Sequence, residues 1–193
     1  AGPWCGQVLA DLGADVIKVE RLGEGDDTRR WGPPFLKDTD GNHTKEAGYY
    51  LSVNRGKRSV ELDLKSEAGR AAVKALAAES DILLENFKTG TLDRMGLGYE
   101  DIKHVNPKLI YCSITGFGLE GPHAGWKATD IVGLASSGVL TMSGDGEDPP
   151  QTLGVNQGYI TASLAAAQGA TLAIFHKERT GEGQLVEVSM QEA

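Results

Sequence analysis

Two cysteines, Cys5 and Cys112, are all the chain has, too few for a disulfide-stapled fold. No C-x-x-C pair and no Cys/His spacing suited to zinc occurs, so both thiols are expected to be buried and reduced. Cations are the minority charge, with 19 Lys and Arg against 27 Asp and Glu and a formal net charge of −8. That balance excludes a broad nucleic-acid surface, because phosphate binding needs a strip of basic side chains to displace counterions. It leaves room for a small anionic ligand held by a few local Lys and Arg. Long apolar runs are missing as well. The longest mostly apolar stretch, residues 160–175, carries Thr161, Ser163, Gln168 and Thr171, which suits a buried helix better than a bilayer crossing. No basic-then-apolar leader opens the sequence, so a cytosolic protein without membrane attachment is expected. His43, His104, His123 and His176 show no partner spacing and receive no role.

What is present is the composition of an ordinary folded protein, 40% hydrophobic and 24% charged over 193 residues. Residues 3–12 read as a helix with Val8, Leu9 and Leu12 on one side and Gly13 as its stop, and residues 16–19 as a strand. Residues 23–48, rich in glycine, proline and mixed charge, form an excursion too long to be an idle connection, hence a candidate functional loop. Residues 49–53 and 59–64 read as strands joined through Asn54-Arg55-Gly56-Lys57. Ser66 can cap a helix whose apolar side is Ala72, Val73, Leu76 and Ala77.

Residues 82–84 are a continuous apolar strand ending in Glu85-Asn86-Phe87, as expected where both faces are covered. Short helices follow at 92–95 and 99–104, and a strand at 109–114 leads into the loop Thr115-Gly116-Phe117-Gly118. Helices over 130–140 and 160–177 and a strand over 185–190 complete the pattern. Strands alternating with helices predict an α/β fold with a largely parallel sheet. A helix opening at residue 3 of such a layout calls for a preceding strand, and residues 190–193 stop where another helix could begin. Residues 1–193 are therefore expected to be one partial domain of a larger protein.

Glu20, at the end of a strand, stands where a Rossmann unit keeps its ribose-binding acid. The preceding turn should then read G-x-G-x-x-G, but the chain has Ala1-Gly2-Pro3-Trp4-Cys5-Gly6, a poor fit that sets nicotinamide and flavin aside. A different set gathers at strand ends: Arg21, Asn86, the loop from Thr115 to Gly118, and Lys127, with Lys65 and Arg94 close to further strand ends or helices. Taken singly, each reads as a solvated surface charge. Together at one sheet edge, where α/β ligands bind, they suit a ligand with several phosphates and a flat base. Trp31, in its Gly/Pro-rich loop, serves equally as an anchor on the core or as a contact in a site.

The stretches "LADLGADVIKVERLGEGDDTRRW", "NRGKRSVELDLKSEAGR", "LLENFKTGTLDRMGLGYEDI", "NPKLIYCSITGFGLEGP" and "RTGEGQLVEVSMQEA", in that order along the chain, resemble the class III coenzyme A transferases, the CaiB/BaiF family. The resemblance implies a Rossmann-like three-layer α/β fold, here the N-terminal part of a chain about twice as long. The first strand and C-terminal half would be missing, and the full-length family forms an interlocked homodimer. By the family pattern Arg21 lies against adenine, and Lys65, Arg94 and Lys127 meet the phosphates of coenzyme A. Leu62, Asn86 and Phe87 line the nucleotide or pantetheine, and Trp31 matches an active-site tryptophan. No permanently bound cofactor is implied. Acyl-CoA and an acceptor carboxylic acid are the substrates.

The resemblance breaks at the chemistry. In the transferases an aspartate after a Gly/Pro-rich turn, here residues 146–150, attacks the donor thioester. The matching segment is "TLGVNQGYITAS", whose acid position falls on Asn156, or on Tyr159 counted back without gaps from "RTGEGQ"; residues 149–177 contain no Asp or Glu. The racemase branch of the family uses a His-Asp pair where this chain has Thr129-Asp130. Asp130 is the carboxylate left near the expected site, and is either catalytic or the cap of its helix. The sequence thus carries a first reading of CoA transfer between carboxylic acids with an atypical nucleophile. Its alternatives are a catalytically silent acyl-CoA-binding relative and a CoA-ester racemase or isomerase.

Overall fold

The amphipathic pattern at the start of the chain forms helix α1 (Gly2–Asp11). Gly13, at φ 102°, adopts a left-handed backbone that a Cβ would strain, and turns the chain into strand β1 (Val16–Arg21). The structure is a computed structural model and describes residues 1–147 and 149–193; Asp148, within the Gly/Pro-rich turn at 146–150, lies outside the described residues. The chain divides into two compact units, residues 3–72 and residues 1–2 with 73–193.

In the first unit, β1 pairs in parallel with β4 (Lys57–Leu62), in a register running from Val16↔Lys57 to Arg21↔Leu62. The excursion between them is folded. A 3-10 turn (Asp27–Arg30) leads to an antiparallel hairpin of β2 (Phe35–Lys37) and β3 (His43–Ala47). The hairpin turn is closed by Asp38, whose Oδ1 accepts the amides of Asp40 and Asn42, each at 2.9 Å. Residues 49–53, expected as a strand, are instead most of a short helix, α2 (Gly48–Ser52). An apolar run this short satisfies either period. Among the described residues no strand pairs with 49–53, since β1 pairs with β4 from Lys57 onward, and the segment closes on local hydrogen bonds such as Val53 N–H to Tyr50 O. Cys5 and Val53 are buried here, as the scarcity of cysteine led us to expect of the thiol.

Helix α3 (Glu67–Ala78) opens as expected, with Ser66 Oγ accepting the Gly69 amide at 3.0 Å. The second unit is built on a three-stranded parallel sheet in the order β5 (Ile82–Glu85), β6 (Ile110–Thr115), β7 (Leu185–Ser189). Every residue of the central strand β6 is buried. Helix α4 (Tyr99–Val105) precedes β6, and α5 (Asp130–Ser136) and α6 (Gln157–Thr180) lie between β6 and β7 in the chain. The helix expected over 130–140 ends early, because Gly138 at φ 85° breaks it into a 3-10 turn (Val139–Met142).

Helix α6 has 24 residues and is long and apolar enough to cross a bilayer by length and composition alone. One side of it is a row of small residues, Ala162, Ala166, Ala170 and Ala173, all buried. Gly169 on this helix lets the sheet approach: a Cβ there would stand 2.9 Å from Val186 Cγ1 of β7. The small-residue side thus works as a core helix face, as the sequence predicted for residues 160–175.

Candidate functional site

Both units present strand C-termini carrying the residues singled out above. In the first unit Glu20, near the end of β1, is 4% exposed. Its carboxylate accepts from Arg29 Nε (2.9 Å) and Nη2 (3.0 Å), Tyr50 OH (2.9 Å), Ser59 Oγ (2.9 Å) and the Asp26 amide (2.8 Å). Burial alone would raise its pKa, but these donors outweigh burial and hold it down to about 2. Every lone-pair direction is in use, so Glu20 is no ribose ligand. It is the anchor of the loop that follows.

Arg29 extends the anchor, chelating Glu46 at 2.8 and 2.9 Å while its guanidinium lies 3.9 Å from the Tyr50 ring centroid. Asp26 caps the 3-10 turn, accepting from Thr28 N and Oγ1 at 2.7 Å and pairing with Lys18. Trp31 follows directly, held against Tyr49 at a ring-centroid distance of 5.1 Å and still 50% exposed. Trp31 is thus anchored on one side by Tyr49, and half of the residue is exposed.

Arg21 and Leu62 are register partners, so they stand side by side where β1 and β4 end. Arg21 is exposed and paired with Glu24 at 2.5 Å, an exchangeable surface pair that an anionic ligand could displace. Lys65 projects from the next turn, which is held by Asp63 Oδ1 accepting the Lys65 amide (2.9 Å) and by Arg70 donating to Lys65 O (2.7 Å). This unit thus gathers Arg21, Leu62 and Lys65 at one strand edge, with Trp31 on the anchored loop.

In the second unit Asn86 and the 45% exposed Phe87 leave the end of β5. Asn86 lies against Gly2, where a Cβ would come within 2.7 Å of its Oδ1, so the alanine-free backbone at residue 2 is required by this close approach. Arg94 sits in a 3-10 turn (Asp93–Met95) and donates to Thr91 Oγ1 at 3.2 Å. Lys127 belongs to a different loop, beside an aromatic cluster in which Trp126 lies 3.9 Å from His123 and 5.7 Å from Phe117 by ring centroids.

Asp130 opens α5, and its Oδ1 accepts the Tyr159 amide at 2.9 Å, so it also caps the first turn of α6. Asn156 is the residue before α6, and its side chain makes no capping hydrogen bond. The carboxylate that sequence reasoning held in reserve thus lies at the backbone of Tyr159, one of the two positions where the family acid would fall.

Two groups escaped the sequence. Lys57 Nζ is buried under Pro3 O (2.6 Å), Val53 O (2.7 Å) and Asn54 Oδ1 (3.1 Å), and burial lowers its pKa to about 8. Glu85, the last residue of β5, is bonded to Ser113 and to the Phe87 amide, and its pKa is raised, chiefly by burial. An acid at a strand end next to Asn86 was visible in the sequence. Its burial was not.

The CoA-transferase family III model matches residues 1–193. The chain belongs to this family. It is 45% identical over 190 residues to a succinate–glutarate CoA-transferase of Agrobacterium fabrum, covering 98% of this chain and 47% of that one. It is 43% identical over 197 residues to a succinyl-CoA:mesaconate CoA-transferase of Haloarcula hispanica, covering 100% and 49%. A crystal structure of a CAIB/BAIF family protein from Brucella suis superposes with a TM-score of 0.93 at 46% identity, covering 100% of this chain and 50% of that one. The family III chain described here therefore spans about half the length of the relatives it matches, and its mixed α/β architecture with parallel sheets is the one the sequence predicted.

Proposed function

We propose that the protein containing this chain transfers coenzyme A from an acyl-CoA to a second carboxylic acid, with the coenzyme held by the residues that the family pattern assigns to it. The observation that carries the reading is the family match over the whole chain, joined to relatives that are named CoA-transferases and lie near 45% identity. Succinate, glutarate and mesaconate in the relatives' names support dicarboxylic acids as donor and acceptor. Arg21, Lys65, Arg94 and Lys127 serve the phosphates and adenine on this reading, Leu62, Asn86 and Phe87 the nucleotide and pantetheine, and Trp31 the acyl end. Coenzyme A is a substrate and no resident cofactor takes part.

A transferase of this kind uses a carboxylate oxygen to attack the thioester carbonyl, expelling the CoA thiolate and leaving a mixed anhydride. The thiolate then attacks the enzyme's acyl carbon, releasing the donor acid and forming an enzyme-bound CoA thioester, which the acceptor acid resolves by the same two steps in reverse. Asp130 is the candidate nucleophile in this chain. The Tyr159 amide occupies Oδ1 and leaves Oδ2 to react.

One observation favours a second reading, acyl-CoA binding without transfer: residues 149–177 hold no carboxylate, and Asn156 and Tyr159 cannot form an anhydride. Incubation with succinyl-CoA and hydroxylamine separates the two. Transfer yields a protein-bound hydroxamate, and Asp130→Asn abolishes it. CoA binding with no hydroxamate supports the silent reading, and deuterium wash-in at the α-carbon without transfer would point to an isomerase instead. By family resemblance we also take the whole protein to be a cytosolic homodimer, a proposal that light scattering and cell fractionation check.

A further inference from the structure

The parallel register aligns Glu85, Ser113 and Glu187 in one row across β5, β6 and β7, so the three side chains leave the same face of the sheet. Each acid in the row accepts a backbone amide of a loop at the sheet's C-terminal edge. Glu85 Oε2 takes the Phe87 amide at 2.8 Å, and Glu187 Oε1 takes the Leu119 amide at 2.5 Å. The other oxygen of Glu85 accepts from Ser113 Oγ, which is 1% exposed, so the carboxyl is tied to the sheet interior at one end and to the loop at the other.

No Lys or Arg forms a salt bridge with Glu85 among the described residues, and the neighbouring charge that acts on its carboxyl is that of Asp93, which raises its pKa further. Glu85 is half-buried, and a partly desolvated acid without a counter-cation carries a cost that a neutral side chain closing the same turn would not. The constraint it adds falls on Asn86. Position 85 is fixed in the ladder, the amide of position 87 is fixed by Glu85, and the Asn86 side chain between them is wedged against Gly2, where even a methyl would come within 2.7 Å.

We propose that Glu85 is a positioning residue that sets the Asn86–Phe87 turn for the coenzyme, holding the Phe87 amide and through it the direction of the Asn86 side chain. The inference rests on the acyl-CoA reading and adds to it a residue that touches no ligand. Its role requires that loss of the carboxyl weaken coenzyme binding while leaving turnover of bound substrate intact.

The test titrates free CoA calorimetrically into the wild-type protein, Glu85→Ala and Glu85→Gln, with steady-state kinetics on succinyl-CoA and amide hydrogen exchange at Phe87. Glu85→Ala is expected to weaken CoA binding and raise KM about tenfold, the loss expected when a charge-assisted hydrogen bond stops holding a binding group, with kcat nearly unchanged. The Phe87 amide should exchange faster in the same variant. Glu85→Gln keeps a carbonyl for the Phe87 amide and an amide for Ser113, so it should bind nearly as the wild type does and covers the case in which the alanine variant fails to fold. Unchanged CoA affinity in folded Glu85→Ala, a kcat loss at unchanged affinity, or a Gln variant as impaired as the Ala variant would each overturn the inference alone. Absence of heat from the wild type would overturn the coenzyme reading and this inference with it.

Discussion

Replacing Glu20 by glutamine removes one charge from the best-connected side chain of the first unit, and its effect can be worked from the structure. The carboxyl is held at about 2 against an ordinary value of 4.5. With about 1.4 kcal/mol for each tenfold change in acidity, that depression corresponds to roughly 3 kcal/mol of folding free energy. Because the folded value is depressed, the contribution is complete above pH 4.5 and is lost as pH falls from there towards 2. Glu20→Gln should therefore lower stability at pH 7 by about 3 kcal/mol, since Arg29 loses its buried anionic partner and the new NH2 faces donors whichever oxygen it replaces, Tyr50 OH and Ser59 Oγ on one side or the Asp26 amide and Arg29 Nε on the other. Urea unfolding from pH 2 to 7, followed by tryptophan fluorescence, to which Trp31 on the anchored loop contributes, measures both effects. The two proteins should converge as pH falls towards 2 and separate by pH 5. Parallel stability curves across that range would refute the assignment of Glu20 as the anchor.

Lys57→Met should destabilise by roughly 2 kcal/mol near neutral pH, because Pro3 O, Val53 O and Asn54 Oδ1 lose their shared donor. Burial depresses the Lys57 pKa to about 8 from 10.5, so the unfolded chain holds that proton more tightly; the wild type should gain on Lys57→Met between those pH values, as paired denaturation curves will report. Gly116→Ala would place a methyl 2.0 Å from the Ala128 Cβ, and should cost about 1–3 kcal/mol in thermal unfolding while displacing Lys127 beside it. Asp130→Asn retains an oxygen for the Tyr159 amide and should melt close to the wild type, whereas Asp130→Ala should lose about 1 kcal/mol; a large loss in the Asn variant would mean that the charge itself holds α6.

The strands over 16–19, 82–84, 109–114 and 185–190 were legible because short runs rich in β-branched and apolar residues alternate with helical segments and end in polar or glycine-rich loops, the layout of an α/β chain. The helix over 160–177 was legible from its length, and extends three residues further at each end, with Asp130 capping its first turn from another part of the chain and Gly181 closing its last. Residues 49–53 were not legible, since a five-residue apolar run carries no period of its own and tertiary pairing decided it, β1 taking β4 from Lys57 onward as its partner. The hairpin over 35–47 was hidden for a related reason: its strands are short and polar, and the Asp38 turn that closes it is a local device among many possible ones.

Linear order determined the family, the alternation of strand and helix, and which cations and aromatics stand near strand ends, because each of these is written in residue type and spacing. Tertiary structure alone decided which acids are at work and how. Glu20, Glu85 and Asp130 are equivalent carboxylates on the page of the sequence, yet one is gripped by five donors, one is half-buried between a serine and an amide, and one caps a helix 29 residues away. Burial and hydrogen-bond partners set the energy of a charge, and both come from residues distant in the chain.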